Sequence, residues 1–440
     1  MSPGCVIMMG TEGDTDNTAL PKGWIVMNSD LNRELTVIRD LCKRYMEIAQ
    51  SDRYVRMRRR FRDSNDLKLV RPPLIIEEIP WQQMNYDHAL DCVCENPELR
   101  SMEYGLRVAL FRDKYFRCDN YAEPCWVVGK SYSSTGNGLR AQDISIACKH
   151  TNIRSHRYVD VLEDESAMDA FHLPVITPYP ERDAANVAHV QEIVGDTIPV
   201  VLRGHGIYYA PWDIITRLRG VEPIMIDVYE RPEYLHRIIR AFSDAMASEM
   251  DQMDRYGLYD PRGLSLHCTP APVTVPNPST DGAYRSRDIW FRTMAQLFSS
   301  VSPDAHEEFD MQYSAPLAAR CAFTYYGCCE PLHDRIDKLK KQYPNLRKVG
   351  CSPWADVERT AEQLRGQYVL SRKPNPAQVA GVVDKAVVRA DIENTVKTCL
   401  KYGCPCDITL KDISTVGDRP ENLFEWAAAA SEVLDHYYGE

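Results

Sequence analysis

Excess positive charge is missing: 52 Lys and Arg stand against 63 Asp and Glu, a formal net charge of −11 over 440 residues. That balance argues against nucleic acid as the main partner. No apolar run approaches the ~20 residues of a membrane-spanning helix, so no membrane association is expected. Met1 to Gly23 carries no basic stretch followed by an apolar core, so no signal peptide is expected. Linkers rich in Pro, Gly and Ser, internal repeats and low-complexity tracts are also absent, which leaves nothing to divide the chain into many units. Ser131 to Arg140 is a Ser/Gly loop of the kind that covers a site, but no Gly-Lys-Ser/Thr follows it, so it is no phosphate loop. Cysteines are plentiful, fifteen in all, yet they are scattered, odd in number and without a secretion signal. They read as small buried hydrophobes in a reducing cytoplasm, not as a disulfide framework.

What is present is an alternation of short apolar segments and helical ones. Leu31 to Gln50 has helical periodicity, and Arg53 to Arg62 is a basic stretch read as a solvated helix face. Arg71 to Pro80 is a buried strand, Asn96 to Arg112 a helix, and Cys118 to Lys130 a strand region around Trp126. Further strands are predicted at Thr197 to Leu202, Gly263 to Cys268, Phe323 to Cys329, Leu346 to Cys351, Tyr368 to Ser371 and Cys406 to Leu410. Helices are predicted at Ala185 to Val194, Pro211 to Arg219, Glu230 to Arg255, Asp288 to Phe298 and Leu423 to Tyr438. About eight such units imply an α/β chain with a parallel sheet, closed as a (β/α)8 TIM barrel. The expected organisation is a tail and helical extension over residues 1–70 and a barrel over 71–440.

The stretch Cys321-Ala-Phe-Thr-Tyr-Tyr-Gly-Cys-Cys-Glu-Pro-Leu-His333 is the centre of that pattern. An aromatic strand ends abruptly in two cysteines, a carboxylate, a proline and a histidine. In parallel α/β folds ligands bind at such strand ends. Strand alternation places Tyr326, Cys328 and Glu330 on one face and lets only one of His267 and Cys268 look inward. His267, Cys328 and Glu330, with Cys329 as substitute, form a candidate metal set, since catalytic zinc takes about three Cys, His or carboxylate ligands. The same residues also suit apolar filling by Cys328 and Cys329, with Glu330 as the carboxylate that opens a helix.

Other strand ends carry candidate chemistry. His205, in Arg203-Gly-His-Gly206, lies between glycines that imply close backbone approach to a ligand or to a neighbouring loop. Lys411 and Asp412 end the last strand, Asp356 follows Ser352-Pro-Trp-Ala, and Arg372 and Lys373 follow Ser371. On a barrel rim, Lys411 could supply the positive charge or proton that a departing oxygen needs. Asp356 also fits a helix cap. Trp81, Tyr326 and Trp354 would suit a flat apolar ligand, and equally barrel packing.

Ile198-Pro followed by three apolar residues and Arg203-Gly-His-Gly206, then Leu218 to Asp227 as a helix end leading into a strand, then Pro232-Glu before a long helix, form an ordered series. With Ser352-Pro-Trp-Ala-Asp356, Ser371-Arg-Lys-Pro-Asn-Pro376 and Leu410-Lys-Asp-Ile-Ser-Thr415, the chain from about residue 70 onwards resembles the uroporphyrinogen decarboxylase-like superfamily. The resemblance implies a (β/α)8 barrel with its site at the C-terminal strand ends. It also implies either decarboxylation or zinc-dependent methyl transfer involving a corrinoid protein. The decarboxylases' Met-Arg-Gln-Ala-Gly-Arg-like segment is absent. The methyltransferases' His-x-Cys-Gly is replaced by Tyr326-Gly-Cys-Cys329, and their late cysteine position falls near Lys411 and Asp412.

The expected activity is therefore O-demethylation. A methyl group would pass from a small methoxylated, aromatic substrate to a corrinoid held by a separate protein, because no Asp-x-His-x-x-Gly corrinoid signature occurs here. Zinc is the expected metal and a homodimer one available assembly. Two rival readings stand: a decarboxylase or lyase using Arg203, Arg372 and Lys373 as anion clamps, and a barrel that binds a ligand without chemistry.

Overall fold

The computed structural model describes residues 29–147, 154–266, 268–274 and 278–439. Nine parallel-sheet segments matter for the site: β1 Leu74–Ile76, β2 Trp126–Gly129, β3 Val200–Arg203, β4 Ile207–Tyr209, β5 Trp290–Thr293, β6 Phe323–Tyr326, β7 Leu346–Cys351, β8 Val369–Arg372 and β9 Cys406–Leu410. Seven of them form one sheet in the order β1-β9-β8-β7-β6-β5-β4, and β2 pairs with β3 in a separate two-stranded ladder. All of these pairings are parallel. The α/β class and parallel sheet are as expected. The described ladders do not join into one hydrogen-bonded ring.

Helices cover the sheet. α1 Ser29–Gln50 and α2 Asp52–Asn65 precede β1, and α3 Pro97–Tyr115 follows it. α1 and α2 pack with α3 and β2 in one core that contains Ile38, Tyr45, Tyr54, Leu106 and Trp126. The basic stretch on α2 is more than a solvated face: Arg60 pairs with buried Asp119, and Arg58 donates to the carbonyls of Ala49 and Ala122. These bonds tie the N-terminal helices to the sheet domain.

Later helices begin as their residues dictate. α4 Pro180–Val194, α5 Pro211–Arg219 and, beyond α6 Val221–Glu230, the 25-residue α7 Pro232–Tyr256 each open with proline in the first turn, where no N–H is needed. α7 ends on Gly257, which takes the left-handed conformation of a helix C-cap.

Three expectations are corrected. Trp290 to Thr293, inside the segment read as helical, is strand β5, buried along its whole length. Its sequence, Trp-Phe-Arg-Thr, has no apolar-polar alternation to mark a strand. The stretch expected to lead from Leu218 into a strand is helical, Val221–Glu230. Among the described residues of Gly263 to Cys268, Ser265–Leu266 alone is strand, paired antiparallel with Thr269–Pro270.

The sheet's two faces differ in chemistry. Outward residues such as Leu346, Leu370, Ile408 and Leu410 join apolar cores under the helices. Inward residues of β5 to β9 include Arg292, Tyr325, Lys348, Ser371, Asp407 and Lys411, an unusually polar set for a sheet interior. They meet through specific bonds. Lys348 Nζ lies 2.6 Å from Asp407 Oδ2, Ser371 Oγ donates to Asp407 Oδ1 at 2.6 Å, and Lys373 Nζ donates to Ser371 Oγ at 2.7 Å.

Candidate functional site

The C-terminal ends of β1, β6 and β9 converge on Lys411. Its Nζ lies 2.8 Å from Asp412 Oδ2 and 3.5 Å from Glu78 Oε2, and its side chain is 1 % exposed. Glu78 follows β1 closely. Its Oε1 accepts from Cys268 Sγ at 3.0 Å, and its Oε2 accepts from the Asp412 backbone N–H at 3.0 Å. Asp412 Oδ2 also accepts from Cys329 Sγ at 3.1 Å, and Cys329 Sγ lies 3.4 Å from Cys328 Sγ. One ammonium, two carboxylates and three thiols thus share a single mouth.

Backbone strain collects at the same place. Glu78, Cys268 and Asp412 have φ of 51°, 70° and 59°, in the left-handed region that side-chain-bearing residues avoid. Such conformations cost of order 1–3 kcal/mol each and persist where surrounding structure enforces them, above all at functional sites. Here all three are joined by hydrogen bonds through Glu78.

Electrostatics fix the charge states. Burial works against the Lys411 ammonium. The field of Cys328, Cys329, Glu78 and Cys268, whichever of them is ionised, more than offsets it and holds the group above the ordinary lysine value. The Cys329 thiol is pushed up by its hydrogen bond to Cys328 and by burial, and the Cys268 thiol by burial and Glu78. Near neutral pH these two thiols are protonated. Burial opposes ionisation of Asp412, but hydrogen bonds with Glu78, Lys411 and Cys329 win and hold it at about 2.

Lys411 and Asp412 are thus together, with Cys328 and Cys329 beside them. Glu330 is close in sequence but turned inward. It is fully buried and accepts from the backbone N–H of Cys328 at 2.8 Å and of Ala295 at 3.2 Å, which staples the two strand ends. Burial and the neighbouring Cys328 push its carboxyl above the usual range. His267 lies outside the described residues. Among the described residues no three His, Cys, Asp or Glu side chains converge as a metal set. Glu330 is committed to backbone N–H groups and the Lys411 ammonium is seated against Asp412, and no chemical step is routed through a metal.

The remaining sequence candidates sit elsewhere. Tyr326 does not share a face with Cys328. It is buried toward the helices, with its hydroxyl 2.7 Å from Asp310 Oδ2 and 2.6 Å from His306 Nε2. Gly327, at φ 102°, breaks the strand's alternation before Cys328. His205 Nε2 bonds the Lys130 carbonyl at 2.7 Å. Its flanking Gly204 is required because the Leu258–Tyr259 backbone passes within 2.3 Å of where a Cβ would stand, so the close approach is to a neighbouring segment. Asp356 caps the helix Val357–Leu364 by accepting from the Arg359 N–H at 3.0 Å. Trp81 is half-buried against Phe111, and Trp354 is 68 % exposed. Arg372 points outward to Asp391 at 2.9 Å, whereas Lys373 points into the sheet interior toward Ser371.

Glu78 is a site residue that pattern reading passed over, and Cys268 entered that reading only as the alternative to His267. The available signal was Glu77-Glu78, a pair of acids ending a strongly apolar strand. Two further neighbours are Tyr208, half-exposed at the end of β4, and Met294, whose Sδ lies 3.9 Å from the Tyr208 hydroxyl. Met294 packs with Ala210, Cys328 and Cys329.

No family model matches the sequence, and no curated protein matches it. Among solved structures, a methyltransferase from Methanosarcina mazei is similar over 86% of this chain and 98% of that one, at 12% identity and a TM-score of 0.46. A likeness of that size assigns no activity or ligand to this chain. No helix among the described residues is long and apolar enough to cross a membrane.

Proposed function

We propose that the chain is a methyltransferase that removes the methyl group of a small methoxylated aromatic compound and passes it to a corrinoid carried by a separate protein. The observation that carries this reading is Lys411. It is a charged ammonium at the end of β9, fixed by Glu78 and Asp412 among residues of strained backbone. The sequence resemblance set out above agrees with it.

Breaking an aryl O–CH3 bond leaves negative charge on the oxygen, and a fixed positive charge beside that oxygen lowers the barrier. Lys411 is that charge, since its neighbours hold the ammonium proton firmly. The oxygen–methyl bond breaks, the oxygen keeps its electron pair beside the ammonium, and the product leaves as a phenolate that takes its proton from water. The electron pair that receives the methyl group comes from the reduced corrinoid. Cys328 and Cys329, packed with Met294 and Ala210, line the approach.

The test is incubation of the protein with a panel of methoxyarenes and a reduced corrinoid protein, following phenol release and the corrinoid absorbance together. Methyl transfer that falls about 10²–10³-fold in Lys411→Met supports the reading. No phenol from any member of a broad panel counts against it.

A further inference from the structure

Four cations enter the sheet interior or its mouth: Arg292, Lys348, Lys373 and Lys411. Three of them have acidic partners. Lys348 has Asp407 at 2.6 Å, Lys373 reaches Asp407 at 4.0 Å and through Ser371, and Lys411 has Glu78 and Asp412. Arg292 has none. It is 0 % exposed, no carboxylate among the described residues lies within ion-pair distance, and its Nε has no hydrogen-bond partner. What surrounds it is weakly polar. One Nη donates to the neighbouring Thr293 carbonyl, the other lies 3.6 Å from Met294 Sδ, and the guanidinium sits 4.4 Å from the Tyr325 ring centroid and 5.9 Å from that of Tyr208.

A buried guanidinium with no carboxylate in contact costs free energy that the more distant Glu330 only partly offsets. An anionic ligand removes that cost. Geometry points to where it sits. Met294 touches both Arg292 and Tyr208, and the Tyr208 phenol lies in the field of both Arg292 and Lys411. A thioether is flexible and gives way more readily than a bonded polar group. The unpartnered Nε and the Nη held only by sulfur form one edge of the planar fork, which matches the two oxygens of a carboxylate. A single guanidinium matches one negative charge better than a phosphate dianion.

We infer that Arg292 is the recognition group for a carboxylate on the aromatic substrate, held with its ring beside Tyr208 and Tyr325 and its methoxyl toward Lys411. This rests on the methyl-transfer reading for the second half only. The carboxylate subsite stands or falls by binding alone.

The experiment is therefore binding to the full chain without any corrinoid protein, by calorimetry and ligand-observed NMR. The probes are 3- and 4-methoxybenzoate, the corresponding methoxybenzamides, and 4-methoxyphenyl phosphate. The expected result is that one benzoate binds at least about tenfold more tightly than its amide, the factor a charge-assisted fork supplies. Arg292→Met should abolish that preference while holding or raising the melting temperature, since it removes an unpaired buried charge. Arg292→Lys, which keeps the charge and loses the fork, should retain only part of the preference. Equal affinity for acid and amide, tighter binding of the phosphate, no saturable benzoate below about 10 mM, or an undiminished preference in Arg292→Met or Arg292→Lys overturns the assignment. Selective benzoate binding without methyl transfer would sink the catalytic reading and leave this subsite standing. Methyl transfer from neutral methoxyarenes with no acid preference would do the reverse.

Discussion

Lys348 and Lys411 face the same interior, and each side chain is 1 % exposed, yet they live in opposite surroundings. Lys348 is paired with Asp407, itself 2 % exposed. Burial opposes ionisation of Asp407, and Lys348, Lys373 and Ser371 outweigh it to hold the carboxyl below its ordinary range. None of these residues has strained backbone. Lys411 is paired with Glu78 and Asp412, which are 36 % and 48 % exposed and carry left-handed φ angles. The first lysine belongs to a network closed on itself. The second is buried from behind and balanced by acids that still touch water. A charge kept for structure is surrounded, whereas one kept for chemistry is held firmly and left reachable.

Identical substitutions break that comparison apart. Lys348→Met strands the Asp407 carboxylate in the interior and should cost about 3–5 kcal/mol, read as a large fall in thermal and denaturant midpoints. Replacing all three charges, Lys348→Met and Lys373→Met with Asp407→Leu, should recover much of the loss, because no member of the network is then left without its partner. A small effect of the single substitution would mean that water reaches Asp407 and that the network is not closed.

Lys411→Met should do the opposite. Glu78 and Asp412 keep their hydration, so stability should change by no more than about 1 kcal/mol. Methyl transfer should fall about 10²–10³-fold, equivalent to about 3–4 kcal/mol of barrier. Unfolding of Lys411→Met as severe as that of Lys348→Met would make the two lysines equivalent and remove the distinction.

The same contrast explains what pattern reading could and could not reach. Lys411 and Asp412 were visible because a short apolar strand ends on them, and parallel strand ends are where ligands bind. Lys348 and Asp407 were hidden inside short strands, Lys348 next to Arg347 and Asp407 among Cys406, Ile408 and Thr409, since one buried pair leaves no periodic mark. Glu78 contacts residues more than 300 positions away, which no local pattern can express. Alternation failed wherever the chain leaves the strand. Gly327 redirects Cys328 away from the face of Tyr326, and the left-handed Cys268 falls outside any strand parity. At Arg372 and Lys373 the outward and inward roles are visible only from their partners, Asp391 and Ser371. The glycines around His205 did signal close backbone approach, but only the position of Leu258 and Tyr259 tells which backbone.

The smallest effect concerns pH. Asp412 titrates at about 2 in the folded chain against an ordinary 3.8. Its folded value is depressed, so its contribution is fully present above about pH 4 and is lost as pH falls toward about 2. The full shift would be worth more than 2 kcal/mol, but a side chain 48 % exposed is screened by solvent, and about 1 kcal/mol is the reasonable share. Asp412→Asn should therefore lower stability at neutral pH by about that amount and flatten the decline between pH 4 and 2 in denaturant titrations. An unchanged acid limb in Asp412→Asn would mean that the Lys411 ammonium is held by Glu78 alone, and the mouth would then resemble the closed Lys348–Asp407 pair more than the strained, half-open arrangement described here.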